Sequence, residues 1–127
     1  MPGPTAITGV DFATVFVTDY PAAIEFYCQT LGLEQSVDYG KIPGGEVEVG
    51  DLTLQVVDAA AIGREFDPNG HPIAFHVDDV EATRAELESK GVKFVADTLD
   101  SGVCHMAFFT DPSGNSLMIH NRYAPKN

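Results

Sequence analysis

The chain repeats itself, and an internal repeat decides architecture before any single motif does. Residues 9–33, GVDFATVFVTDYPAAIEFYCQTLGL, and residues 71–92, HPIAFHVDDVEATRAELESKGV, follow one plan. Each reads as an apolar strand ending in Asp, then a helix of about three turns, then a glycine stop. In the first copy Asp19 stands before Tyr20 and Pro21, a cap acceptor followed by proline in the first turn. Ile24, Tyr27 and Leu31 fall on one helical face, and Gly32 supplies the left-handed residue that ends the helix. In the second copy Asp78 or Asp79 caps, Val80, Ala85 and Leu87 supply apolar contacts, Glu86 and Lys90 pair at i,i+4, and Gly91 stops the helix. The Asp positions, 19 and 79, and the glycines, 32 and 91, are offset almost equally, so the two halves are in register.

Short β-rich segments follow each helix, broken by Gly, Asp and Pro turn signals. They are LEQSVDYG, GEVEVGD and LTLQVVDA in the first half and VKFVADTLD, CHMAFFTD and NSLMIHNRY in the second. The expected fold class is therefore α+β, with two βαβββ modules forming an incomplete barrel around a cavity. Module one covers about residues 8–60 and module two about 71–121, joined by a polar, turn-rich linker at about 61–70. A sheet with one helix leaves its opposite face bare, so the halves must share a surface. With 127 residues and 44% hydrophobic content, the whole chain is expected to be a single domain, 1–127, with a core of its own.

Nineteen acidic against seven basic residues give a net charge of −12, which repels phosphate backbones and anionic lipid surfaces. Nucleic acid and membrane partners are not expected. The acidity reads first as solubility, with weak steering of a cationic ligand as the sharper alternative. The opening MPGPTAITGV has neither a basic n-region nor a long apolar stretch, and Cys28 and Cys104 are not in a CxxC spacing, so a cytoplasmic protein with free thiols is the expectation. No GxSxG, P-loop or Rossmann glycine pattern is present.

The segments TDYPAAIEFYCQTLGL, AFHVDDVEATRAELESKGV and FTDPSGNSLMIHN together resemble the vicinal oxygen chelate superfamily of glyoxalases, bleomycin-resistance proteins and extradiol dioxygenases. The resemblance covers residues 8–121. It implies the two-module fold, a homodimer with cavities at or beside the subunit interface, and, in metal-using members, four strand positions that supply His, Gln or Glu to one divalent cation. Function must still be argued from the site.

Carried over by spacing, those positions fall on Phe12 and Pro72, each seven residues before the strand-ending Asp, and on Met118, four residues after Gly114. Aligning Gly50 with Gly114 adds Leu54. None of these side chains donates oxygen or imidazole nitrogen to a hard or borderline cation, so no metal and no cofactor are expected. His71 is the escape route, through a bulge at Pro72, although a turn histidine is the simpler reading.

The remaining candidates are a ligand-binding wall. Phe12, Thr14 and Phe16 share a strand face, and with Leu54, Val56 and Met118 they make an apolar, partly aromatic lining suited to a drug-sized ligand, or else plain core. His76 and His120 share parity with these positions and are the candidates for hydrogen bonding or proton transfer, or else sit at strand ends in water. Cys104 and His105, being adjacent, point to opposite faces and do not form a catalytic pair. The expected function is metal-independent small-molecule binding of the bleomycin-resistance type. The alternatives are a small-metabolite isomerase, lyase or ring-modifying enzyme using cavity histidines, and a structural or regulatory domain with a filled barrel.

Overall fold

Asp19 and Asp79 set the frame, since each accepts a hydrogen bond at a helix start: Asp19 Oδ1 from Ala22 N at 3.1 Å and Asp79 Oδ1 from Ala82 N at 3.0 Å. The computed structural model describes residues 6–126. Strand β1 (Phe12–Val17) leads into helix α1 (Tyr20–Ile24), which continues as a π-helix over Glu25–Thr30. Strands β2 (Glu34–Asp38), β3 (Gly44–Val49) and β4 (Leu52–Asp58) follow, and a 3₁₀ turn at Ala59–Ile62 begins the linker. The second half contributes β5 (Ile73–His76), α2 (Val80–Ser89), β6 (Leu99–Asp100), β7 (Cys104–Thr110) and β8 (Ser116–Arg122).

The strands form two mixed sheets, ordered β1-β4-β3-β2 and β5-β8-β7-β6, and neither is closed into a barrel. The first strand of each half runs parallel to the last, and the others pair antiparallel. This is the α+β, twice-βαβββ plan expected from the repeat.

Each helix covers one face of its own sheet. Val15, Val17, Val47, Leu54 and Val56 are buried in one cluster with Ala23 and Tyr27, and Ala107, Phe109, Leu117 and Ile119 with Val80 and Leu87. Burying side chains of this size contributes roughly 1.5–3 kcal/mol each, which is what holds a helix as short as α2 in place. The two clusters are continuous because the π segment of α1 reaches the second sheet: the Phe26 ring lies 6.3 Å from Phe109.

Three local expectations are corrected. The first helix is not α throughout; Leu31 N–H donates to Phe26 O at 2.9 Å, the wider π spacing, and Gly32 then turns at φ +79°. Strand β6 keeps only Leu99 and Asp100 of the predicted VKFVADTLD. Val92 is drawn under α2 by a 3.0 Å bond to Leu87 O, and Phe94 packs on Phe109 under the Arg84 guanidinium, so this stretch leaves the sheet edge. Ala85 is exposed, because the inward face of α2 is set by Val80 and Leu87.

The modules are pinned together by one buried carboxylate. Asp111 Oδ2 accepts from Tyr27 OH and from Asn115 Nδ2, each at 2.8 Å, and Asp111 Oδ1 accepts from Ser113 N and Asn115 N, each at 2.9 Å. Asn115 Nδ2 also donates to Phe16 O at 2.8 Å, and Asn115 Oδ1 accepts from Asn69 N at 2.8 Å in the linker. The DPSGN turn of module two thus holds β1, the π segment and the linker at once.

Replacing Tyr27 by Phe removes one of these donors from a buried carboxylate and should cost roughly 1–3 kcal/mol in urea unfolding. Burial, then the nearby Asp111 carboxylate, pushes the Tyr27 phenol far above its ordinary value of 10.0. The unfolded chain ionises this phenol near that value while the folded chain keeps it protonated. Its stabilisation is therefore complete below about pH 10 and lost as pH rises beyond. The urea midpoint should fall above pH 10, and less steeply in Tyr27→Phe.

Candidate functional site

The faces of the two sheets turned away from the helices are open, and alternation along the strands decides what they carry. On the first sheet, β1 presents Phe12, Thr14 and Phe16, and their register partners on β4 are Thr53, Gln55 and Val57. Glu48 and Glu46 on β3 stand opposite Thr53 and Gln55. Phe12 is 50% exposed, and the Arg64 guanidinium lies 4.9 Å from the centre of the Phe16 ring. On the second sheet Ala74 and His76 of β5 pair with Met118 and His120 of β8, which pair in turn with Phe108 and Met106 of β7. His76 and His120 are thus direct cross-strand neighbours, as their shared parity predicts.

Leu54 and Val56 do not belong to this surface. Both are fully buried, at 0% exposure, on the opposite face beneath α1. The glycine alignment that placed Leu54 slips because the two hairpins differ. Thr14 and Ala74 each lie five residues before a capping Asp, and their register partners are Gln55 and Met118. Gln55 is therefore the residue matching Met118. Gly50 sits in a tight turn between Val49 and Leu52, whereas Gly114 sits in the longer loop between Thr110 and Ser116, so the glycines are not equivalent.

The four positions that the resemblance assigns to metal donors are then Phe12, Gln55, Pro72 and Met118. Two hydrocarbons, a thioether and one amide do not suit a divalent cation, and the amide oxygen Gln55 Oε1 already accepts from Thr14 Oγ1 at 2.9 Å. His71 adds no ligand here. It precedes β5 in an exposed bend, with its backbone N–H on Asn69 Oδ1 at 2.8 Å, and it borders a cleft with Phe16 and Arg64. Among the described residues no group of three His, Cys, Asp or Glu side chains is placed to hold a metal.

A hydrogen-bonded relay crosses the first sheet instead, and sequence reasoning missed it. Thr14 donates to Gln55, Gln55 Nε2 donates to Tyr39 OH at 3.0 Å, and Tyr39 OH donates to Glu46 Oε2 at 2.6 Å. Burial, with the bond to Glu46, raises the Tyr39 phenol above its ordinary value. Glu48 is held below the usual carboxylate range by the hydroxyls of Ser36 and Thr53. The signal was the strict alternation in GEVEVGDLTLQVV, whose polar members Glu46, Glu48, Thr53 and Gln55 mark one face. Tyr39 carried no such signal; it reaches the face from a loop and lies against Gly44, where a Cβ would stand 2.9 Å from its ring.

His76 is 73% exposed at its side chain, with Nε2 3.2 Å from Asp78 Oδ1, while His120 is half-buried. Cys104 and His105 occupy opposite faces: Cys104 aligns with Arg122, and His105 with Asn121 and Asp100. Cys28 and Cys104 are free thiols, and burial pushes the Cys28 thiol up.

Comparison with known proteins gives one consistent result. Residues 9–119 match the family model of the glyoxalase/bleomycin resistance protein/dioxygenase superfamily. The uncharacterized protein YurT of Bacillus subtilis (strain 168) is 30% identical, the alignment covering 84% of this chain and 93% of YurT. The crystal structure of TnmS3, an antibiotic binding protein from Streptomyces sp. CB03234, superposes with a TM-score of 0.78 at 26% identity, covering 94% of this chain and 99% of that one. Lactoylglutathione lyase from Agrobacterium tumefaciens shares the fold at a TM-score of 0.74 and 19% identity, covering 91% of this chain and 95% of the lyase.

The face assignment makes opposite predictions for adjacent residues. Leu54→Ala opens a cavity in packed core and should cost about 2–5 kcal/mol in denaturant unfolding, whereas Gln55→Leu on the open face should stay within about 1 kcal/mol of the parent. Untagged protein should carry no stoichiometric zinc, nickel or iron by elemental mass spectrometry, and EDTA should leave its Tm unchanged.

Proposed function

Because this chain belongs to the glyoxalase/bleomycin resistance protein/dioxygenase superfamily, we propose that it is a metal-independent binding protein that sequesters an aromatic or apolar small molecule. One observation carries the reading: Phe12, Gln55 and Met118, three of the positions that the resemblance assigns to metal donors, lie on open faces otherwise rich in Phe16, Met106 and Phe108, and the fourth, Pro72, stands just before β5. Rings and thioethers hold a ligand by burial and stacking, and a few polar groups orient it. Thr14, Gln55, His76 and His120 are those groups. The antibiotic binding described for TnmS3 supports this class of ligand.

Neither open face encloses a ligand by itself. We assign the missing wall to a second copy, so that the first sheet of one protomer covers the second sheet of its partner and a cytoplasmic homodimer holds two equivalent cavities. Ligand affinity then depends on dimerisation.

The adjacency of His76 and His120 favours one other reading, an isomerase or lyase in which this pair handles protons near neutral pH. The two readings part on a pair of measurements. In sedimentation equilibrium the parent should be a dimer and Met118→Arg a monomer. Bleomycin and mitomycin should be tried as ligands by thermal shift, and the hemithioacetal of methylglyoxal and glutathione as substrate. A sequestering protein binds an antibiotic, loses at least tenfold in affinity in Phe12→Ala, and changes severalfold or less in His76→Ala/His120→Ala. Turnover that vanishes in the double histidine variant while binding survives would overturn sequestration in favour of the enzyme.

A further inference from the structure

Behind β5, on the side away from the open face, the modules leave a second apolar space. It has a volume of about 150 Å³. Leu31 and Leu33 from the end of the π segment wall it on one side, Thr83 and Leu87 of α2 on another, with Val77 and Ile119 from the second sheet. Leu87 and Ile119 are buried and form its floor. Leu31, Leu33, Val77 and Thr83 are half-buried, so solvent reaches its rim, where the exposed His76 stands beside Asp78. Among the described residues the Thr83 hydroxyl has no hydrogen-bond partner, although its backbone N–H donates to Asp79 O at 3.0 Å.

We infer that this space is a separate binding site for a compact, mainly hydrocarbon ring of about benzene's size carrying at most one polar oxygen. The volume sets the size, since an apolar space of this order admits a molecule of about benzene's size. The lining sets the chemistry: apolar walls from both modules, with Phe75 and Phe109 among them, favour a hydrocarbon ring, and the Thr83 hydroxyl offers a single hydrogen bond to a ring substituent. Among the described residues no charged side chain but the rim pair stands at it, so an ionic ligand is disfavoured. Occupancy would join the end of the π segment, α2 and β5 across the module boundary and press on the strand that ends in His76.

Toluene and phenol are the probes, titrated into the full-length chain with methyl-detected NMR. Both should shift methyl resonances saturably and give intermolecular NOEs to Leu31, Leu87 and Ile119. Thr83→Val, which keeps the shape and removes the hydroxyl, should weaken phenol by roughly fivefold, the weight of one neutral hydrogen bond, and leave toluene within about twofold. Thr83→Met fills the space and should weaken both by at least tenfold, with a dispersed amide spectrum reporting that the variant folds. Absence of saturable shifts, or NOEs only to Met106 and Met118 on the open face, overturns the inference. That last outcome leaves the proposed function standing, while loss of antibiotic binding there leaves this site untouched.

Discussion

One buried carboxylate fixes how the halves of this molecule sit together. Asp111 has no positive partner among the described residues; two backbone N–H groups, an amide and a phenol saturate it. Four neutral donors spread its charge without an ion pair, which is how a carboxylate tolerates burial at 3% exposure. Three of the four belong to the same hairpin turn, so the turn forms its own cradle, and the fourth, Tyr27, arrives from the other module. Asn115 then extends the grip to β1 and to the linker. The layout of both open faces follows from this junction, because it orients β1 against the hairpin of β7 and β8.

Much of this was legible in the sequence because repetition encodes architecture redundantly. Asp19 and Asp79, with Gly32 and Gly91, marked both helices, and the structure finds a cap and a left-handed turn at each place. Phe12, Thr14, Phe16, Met118 and the histidine pair followed from strand parity, which survives small errors at element ends. Leu54 and Val56 did not, because a glycine in a two-residue turn was equated with one in a longer loop, and a slip of one residue exchanges the faces of a strand. The alternation around Leu54 held the contrary information, since a residue flanked by Thr53 and Gln55 is the inward member of its strand.

Other features had no local signature. The Tyr39 relay depends on a loop folding back over a glycine, and the π segment depends on a partner more than eighty residues away. Propensity gives EFYCQT no reason to widen its turns; the tertiary bond from Tyr27 to Asp111 supplies it. The short β6 has the same origin, since Val92 and Phe94 gain more from burial beside α2 and Phe109 than from a place in the ladder.

A π segment is an α-helix holding one residue more than its length requires, and that surplus restricts how the chain can change. Deleting any residue between 25 and 30 would let the helix relax to ordinary spacing without shortening it appreciably, a loss that a surface helix normally tolerates. Because the wider turns already absorb the surplus residue, the helix before and after it would keep its phase, while side chains inside the segment would move around the axis by up to about a quarter turn. Tyr27 or Phe26, inside the segment, would then lose the position from which it meets Asp111 or Phe109. The spare residue thus leaves the packing on either side of it in place and places one additional side chain at the junction where Tyr27 meets the buried carboxylate.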